Sequence, residues 1–245
     1  RNSKKNIQIH QKIINFQVKK VNTMAQIRKH PKYNVFISGS LHSPKLYTKN
    51  LDPGTQVYGE KLIDDHGVEY RTWNPHQSKL AAIFMNNPET HLLKKGLNCL
   101  YLGAASGTTV SHLSDILTDG IIYSVEFAER SMRQFIQNTS NRENVIPILG
   151  DARYPVEYAK SIFTDVEMIY QDVAQPNQAE IAIRNCDYYL KKQGLLILLI
   201  KSQSINSVTK SKKVYKQEKE VLQSGNLEIV ESVNIHNYAA NHLAL

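Results

Sequence analysis

The sequence of 245 residues predicts an α/β fold: a mostly parallel sheet covered on both faces by helices, with a small antiparallel β domain ahead of it. Five near-continuous apolar runs alternate with helical patterns after Lys95-Gly96, and strands that read as unbroken apolar runs are buried on both faces. Before that point, short β-favouring pieces are divided by turn signals. The first apolar run also passes through a glycine-rich turn directly into a helical pattern, as in nucleotide-binding α/β folds.

Residues 1–32 are rich in Lys, Asn, Gln and Ile. They read as a basic leader, with disorder and a short strand at Ile14, Phe16 and Val18 both compatible with the pattern. Residues 33–74 hold the pieces Asn34–Ser38, Lys45–Asn50, Gln56–Leu62 and Val68–Trp73, broken at Asp52-Pro-Gly and Asp65-His-Gly. They predict a small antiparallel β domain with at least one hairpin. Residues 75–245 make the larger domain. A helix starts near Pro75 and presents Leu80, Ile83 and Phe84 on one side. Strands follow at Leu97–Leu102, Ile121–Val125, Asn144–Leu149, Val166–Tyr170 and Leu195–Ile200, with helices over about 106–118, 128–139, 176–191 and 208–224.

The charge is uneven. The chain totals +8, yet 11 of its 30 basic residues and none of its 22 acidic ones lie in residues 1–51. The remaining 194 residues hold 19 basic and 22 acidic groups, so a basic leader precedes a slightly acidic body. The longest apolar run is too short to cross a bilayer, so no membrane is expected. The N-terminus shows no secretory core, and a chain beginning with Arg reads as a piece or a trimmed product. Cys99 and Cys186 lie in apolar stretches without metal-ligand spacing, so buried free thiols and no metal are expected.

In open parallel sheets the ligand lies beyond the carboxyl ends of the strands. The first strand ends in Gly103-Ala104-Ala-Ser-Gly107-Thr108-Thr109, which brings backbone N–H groups close to a ligand, though a plain strand-to-helix turn has a similar look. The second ends at Glu126, 23 positions after Gly103, where an acid can accept hydrogen bonds from a ribose diol. The third ends in Asp151-Ala152, a turn-former or an acceptor for an adenine amino group. The fourth ends in Asp172-Val173-Ala174-Gln175-Pro176, which aims a carboxylate into the cleft. The fifth ends at Lys201, which beside Asp172 reads as functional rather than as a snorkelling strand cap.

Several ordered strings make the chain resemble the fibrillarin family, the box C/D ribonucleoprotein 2′-O-methyltransferases. They are Lys49-Asn-Leu, Val57-Tyr-Gly-Glu-Lys61, Tyr70-Arg-Thr-Trp-Asn-Pro75, Ser78-Lys-Leu-Ala-Ala82, Tyr101 through Ser111, Val125-Glu-Phe127, Asp151-Ala-Arg153 and Asp172 through Pro176. The resemblance covers about residues 33–245. It implies a class I S-adenosylmethionine-dependent methyltransferase fold, Rossmann-like, acting on RNA ribose, chiefly in rRNA, within a guide-RNA particle of the nucleolus in the nucleus. It implies that Thr108 and Thr109 lie beside the cofactor's methionine part, Glu126 and Phe127 at ribose and adenine, Asp151 and Ala152 at the adenine edge, and Asp172 to Gln175 nearest the sulfonium. It also implies a catalytic set of Lys79, Asp172, Lys201 and His242. In this reading Lys201 is the base, its pKa lowered by the Lys79 ammonium and by desolvation, while Asp172 orients it. Lys79 also anchors a flanking phosphate and His242 positions the ribose. The implied partners are a box C/D guide RNA with its target rRNA, a Nop-domain scaffold protein docking on residues 33–74, and a kink-turn-binding protein.

The chain departs from the family in three ways. The C-terminal P-Y-E-R-D-H-A reads Asn237-Tyr-Ala-Ala-Asn-His-Leu243, without the Glu, Arg and Asp before the histidine. Leu245 also comes where the family continues through its last strand, so an incomplete sheet is expected. A Gly/Arg-rich leader is replaced by the Lys/Asn/Gln-rich one. Near 208–224, Lys212, Lys216 and Lys219 share a face that is either a solvated ridge or a path for a phosphate backbone. Two other readings accompany the leading one: a structural RNA-binding subunit that has lost catalysis, and a methyltransferase acting on a protein side chain such as a histone glutamine. A dehydrogenase is disfavoured by the glycine spacing.

Overall fold

Two sheets share the molecule, and the computed structural model describes residues 26–245 of it. The alternation at Ile14, Phe16 and Val18 lies outside the described residues. The first sheet is wholly antiparallel: β1 (Arg28–Lys29), β2 (Phe36–Ser40), β3 (Ser43–Lys49), β4 (Leu62–Asp65) and β5 (Val68–Trp73), in the order β1-β2-β3-β5-β4. His66 and Gly67, both at positive φ, form the two-residue turn whose twist suits the β4–β5 hairpin. Two sequence expectations change here. Ordered pairing begins inside the basic leader, since Arg28 and Lys29 pair with Ile37 and Phe36. The stretch Gln56–Leu62 is a loop up to its last residue, because Glu60 folds back to accept from the Val57 and Tyr58 N–H groups and so diverts them from any ladder.

The second sheet has seven strands: β6 (Cys99–Leu102), β7 (Ile122–Glu126), β8 (Val145–Leu149), β9 (Val166–Gln171), β10 (Leu190–Lys201), β11 (Val233–Asn234) and β12 (His242–Ala244). Their order is β11-β12-β10-β9-β6-β7-β8. The five from β10 to β8 are parallel, and β12 runs antiparallel to both its neighbours. Chain order reverses on either side of β6, which puts the ligand crevice beyond its carboxyl end. The last-strand position, expected to be incomplete, holds a short strand: β12 lies between β10 and β11, with Lys201 opposite His242 and Leu199 opposite Ala244. Apolar residues Leu100, Leu102, Tyr123, Ile169 and Leu198 are wholly buried in this sheet, as the unbroken runs require.

The helices are α1 (Lys79–Met85), α2 (Thr108–Ile116), α3 (Glu129–Thr139), α4 (Gln178–Tyr189), α5 (Ser202–Ile205) and α6 (Ser211–Ser224). The first starts four residues after Pro75. Residues Asn74–Ser78 form a turn in which the Gln77 and Ser78 N–H groups donate to the Asn74 carbonyl, and Ser78 then caps the helix.

A buried polar cluster joins the small sheet to α2. Arg71 is fully buried and donates to Glu60 (2.6 Å), Asp115 (2.8 Å) and Ser111 (2.9 Å). Asp115 also accepts from Arg142 (2.6 Å), Thr48 (2.6 Å) and the Leu51 N–H (3.0 Å). Two guanidinium groups face two carboxylates, so the cluster is neutral and nearly every charge is hydrogen-bonded, the condition under which such groups tolerate burial. Burial alone would raise the Glu60 carboxyl; bonds from the Tyr58 and Val57 N–H groups and the Arg71 charge hold it below its ordinary value. His112 completes the cluster. Thr48 spends its proton on Asp115, so His112 donates from Nδ1 to the Thr48 oxygen (2.7 Å) and accepts at Nε2 from the Tyr58 hydroxyl (2.6 Å). Burial, with Arg71 and Arg142 nearby, pushes its pKa well below 6.5 and keeps it neutral. The strings Val57–Lys61 and Tyr70–Pro75 therefore serve the fold, fixing the helix that starts at the cleft.

Candidate active site

The loop from β6 to α2 bends through three positive φ angles, at Gly103 (+88°), Ala105 (+49°) and Gly107 (+91°). A Cβ on Gly103 would lie 2.5 Å from the Asp172 carbonyl oxygen, and one on Gly107 would lie 2.6 Å from the Phe135 ring. Both positions thus need glycine for space as well as for conformation. α2 begins at Thr108 without a side-chain cap, which leaves its first N–H groups suited to an anionic ligand group. Thr109 Oγ1 lies 3.0 Å from Ser78 Oγ, so the cap of α1 is tied to the first turn of α2.

Glu126 ends β7 and is buried. One carboxylate oxygen accepts from the Ala105 N–H and the other from the Ala128 N–H, each at 2.9 Å. It thereby locks the glycine loop to the start of α3. A cleft of about 140 Å³ opens beside it, lined by Gly103, Phe127, Ala152, Asp172, Val173 and Gln175 among others. Phe127 is 64% exposed, an aromatic face free for a flat ligand. Gln175 Oε1 is buried with no partner, an acceptor suited to a donor on a ligand. Small residues around a carboxylate, an aromatic face and an unpaired acceptor fit an adenosine with a cationic amino-acid tail: Glu126 for the ribose, Phe127 and Ala152 for the ring, Asp172 and Gln175 toward the cationic end. Asp151 lies outside this lining. Arg153 takes both its oxygens, at 2.6 to 3.1 Å, and holds its pKa below the ordinary value, so its expected role at an adenine edge is not what the geometry offers first.

The four expected catalytic residues converge at the same end of the sheet. Lys79, the first residue of α1, puts Nζ 2.6 Å from Asp172 Oδ2. Asp172 thus pairs with Lys79 and not with Lys201, contrary to expectation. The reason is the backbone: β9 and β10 pair only as far as Gln171 and Leu198, so the two strand ends diverge and Asp172 turns to α1. Lys79 is thus committed to Asp172 rather than standing as an isolated charge beside Lys201. Lys201 Nζ makes no ion pair or hydrogen bond among the described residues. Its backbone is held where the strands part: the Lys201 N–H donates to Gln178 Oε1 (2.9 Å), Gln178 Nε2 donates to the Lys201 carbonyl (3.4 Å), and Gln171 Nε2 donates to the Gln178 carbonyl (2.7 Å).

His242, on β12 opposite Lys201, donates from Nδ1 to the Ala240 carbonyl (2.8 Å), leaving Nε2 a buried acceptor without a partner. A backbone carbonyl thus orients the imidazole where the resemblance has a carboxylate. Burial lowers its pKa below 6.5, with Lys79 and Lys201 adding to the effect and the Ala240 bond and Asp172 opposing it. The site accordingly combines a neutral imidazole lone pair, a lysine without a partner among the described residues and a lysine–aspartate pair beside the cleft at Glu126. Gln178 and Ser78 were not anticipated. Ser78 before an apolar run is a readable helix-cap signal, whereas nothing in the spacing marks Gln178.

Among the described residues no three His, Cys, Asp or Glu side chains gather to hold a metal ion, and no helix is long and apolar enough to cross a membrane.

The chain matches the fibrillarin family model over residues 27–245. It is 47% identical over 199 residues to a fibrillarin-like rRNA/tRNA 2′-O-methyltransferase of Methanococcus vannielii, covering 81% of this chain and 86% of that protein. Aeropyrum pernix fibrillarin, solved with natively bound S-adenosyl-L-methionine, is 41% identical with a TM-score of 0.82 over 89% of this chain and 96% of that one. A fibrillarin solved in complex with Nop5p is 34% identical with a TM-score of 0.74, over 90% of this chain and 96% of that one.

Proposed function

The chain belongs to the fibrillarin family, and from that premise we propose that it transfers the methyl group of S-adenosylmethionine to ribose 2′-hydroxyls of RNA, chiefly rRNA, as the catalytic subunit of a box C/D ribonucleoprotein. The observation that carries this reading is the convergence of the Lys79–Asp172 pair, Lys201 and His242 beside the cleft floored by Glu126.

When bound, S-adenosylmethionine supplies a methyl group already activated on a sulfonium, so aligning the hydroxyl and removing its proton are the tasks left to the protein. His242 Nε2 has the free lone pair and the neutral state to take that proton. This moves the role of base from Lys201, where sequence reasoning put it. The Lys201 ammonium instead stabilises the negative charge that grows on the ribose oxygen. The new bond joins that oxygen to the methyl carbon, the methyl–sulfur bond breaks, and the proton leaves on the imidazole. Lys79 holds Asp172 at the strand end, where the carboxylate would face the sulfonium of the bound cofactor. The altered motif before His242 motivates the reading of a structural subunit without catalysis, but the imidazole still reaches the site through the Ala240 carbonyl.

A Nop-domain scaffold protein docking on the small antiparallel sheet, a box C/D guide RNA, a kink-turn-binding protein and a nucleolar location in the nucleus complete the proposal. The relatives described above are archaeal, so the location is decided by imaging a tagged chain in its own cells. The catalytic assignment is tested by single-turnover transfer in a particle reconstituted with scaffold and guide RNA. Asp172→Ala and His242→Gln are expected to slow transfer at least 100-fold, general-base loss alone being worth about 10²–10⁴. Retained rates would remove these residues from catalysis.

A further inference from the structure

From Lys201 to Gln217 the chain carries five lysines (Lys201, Lys210, Lys212, Lys213 and Lys216) and no acidic residue. Lys210 is the N-cap of α6, Lys212 and Lys213 lie in its first turn, and that turn contains no acid. Cations at a helix N-terminus oppose the helix dipole, so this placement works against the helix unless an external anion compensates it. The helix buries Val214, Glu218 and Leu222, while Lys212, Lys213 and Lys216 are exposed. Glu218 turns inward to the Ala179 N–H, and Glu220 reaches only Lys216, at 3.7 Å. Lys219, which the sequence pattern put on the same ridge, instead donates to Ser232 and leaves it.

This strip begins at the catalytic residues. Ser211, the first residue of α6, has its Oγ 2.9 Å from Ser202 Oγ and 3.2 Å from Asn241 Oδ1. The Ser202 N–H also donates to the Asn241 carbonyl at 3.1 Å. Ser202 follows Lys201 and Asn241 precedes His242, so the N-terminus of α6 is bonded to both strand ends that hold the site. A polymer whose ribose lies at His242 and Lys201 must carry its backbone away, and along the start of α6 it meets the exposed Lys212, Lys213 and Lys216. Lys212 and Lys216 are one turn apart, about 6 Å along the axis, within reach of neighbouring phosphates through flexible stems.

We infer that Lys210, Lys212, Lys213 and Lys216 form a phosphate track that holds the backbone of the substrate RNA as it leaves the catalytic cleft. The inference rests on the RNA reading above and goes beyond it in saying where the strand runs. It is tested in the reconstituted particle with the triple variant Lys212→Gln, Lys213→Gln, Lys216→Gln. A fluorescent target RNA is titrated between about 0.1 and 1 M KCl, the range over which counterion release is read. Each phosphate that a lysine no longer neutralises lowers the log–log salt slope by about 0.7 for a single strand. The slope should therefore fall by about 2, giving an affinity about 100-fold weaker at 0.1 M that converges with the parent near 1 M. Cofactor affinity stays within two-fold and Tm is equal or higher, since the helix loses unfavourable charge. An unchanged slope overturns the track. So does weakened assembly with the scaffold protein at an unchanged RNA slope, which would assign the strip to a protein interface. If the parent particle binds target RNA but does not methylate it, the catalytic reading fails while the salt slopes still decide the track.

Discussion

Replacing Asp115 by Ala should be among the most damaging single changes in this chain, although the side chain lies outside the cleft. Its two oxygens accept from Arg71, Arg142, Thr48 and the Leu51 N–H, and the side chain is completely buried. Arg71 would keep Glu60 at 2.6 Å, but Asp115 is the only ion-pair partner of Arg142 among the described residues. The substitution therefore leaves one uncompensated buried guanidinium, a change that costs about 3–5 kcal/mol. For a domain of this size each kcal/mol moves Tm by about 2–4 °C, so a fall of roughly 6–20 °C is expected. Urea unfolding followed by circular dichroism measures the first figure and a thermal scan the second. Adding Arg142→Ala removes the stranded charge, so the double variant should be less destabilised than the two single losses summed. A loss under about 1 kcal/mol for Asp115→Ala, or strict additivity of the pair, would refute the claim that this neutral cluster welds the small sheet to α2.

Three further outcomes follow from the site and the cluster. Because the folded pKa of His112 lies well below its unfolded value of 6.5, its contribution to stability is complete above that value and is lost as pH falls beneath it. Urea unfolding should therefore show a larger loss of stability between pH 7 and pH 5 for the parent than for His112→Gln, and equal losses would contradict the buried neutral imidazole. With His242 as proton acceptor, the single-turnover rate should drop about tenfold per unit of pH below its lowered pKa and stay level above pH 7; a rate still climbing past pH 9 would remove His242 from the role. Gln178→Leu leaves the Lys201 N–H and carbonyl unpaired and should lower kcat at least tenfold with cofactor affinity retained. Gln178→Glu, which keeps the acceptor for the N–H, should recover part of that loss, and equal rates in all three would dismiss Gln178 as a positioning residue.

What the sequence made legible was set by local signals. The unbroken apolar runs marked the five parallel strands, and Gly103, Glu126 and Asp172 stood where strands end, so the cleft could be located from the chain alone. The misreadings share another cause, since each depends on a specific partner that local propensity does not reveal. Residues 56–61 favour strand locally, but the Glu60 carboxylate claims their N–H groups and delivers its charge to Arg71. Arg28 and Lys29 look like part of a tail until Phe36 and Ile37 pair with them. Asp172 and Lys201 end neighbouring strands, yet the ladder stops short of them, and the aspartate finds Lys79, 93 residues away. Gln178 is a single amide in a helix, and only the divergence of β9 and β10 gives it a task.

The most direct test of the account is the chemical position of the transferred methyl group. The particle assembled with scaffold protein and guide RNA is supplied with S-adenosylmethionine labelled at the methyl carbon, and the target RNA is digested with alkali. Label is expected in alkali-resistant dinucleotides, the product of a blocked 2′-hydroxyl, at a guide-specified nucleotide, and is expected to be lost in His242→Gln with cofactor still bound. Label on a base or on a protein side chain, or no transfer from a particle that binds both cofactor and RNA, would contradict it.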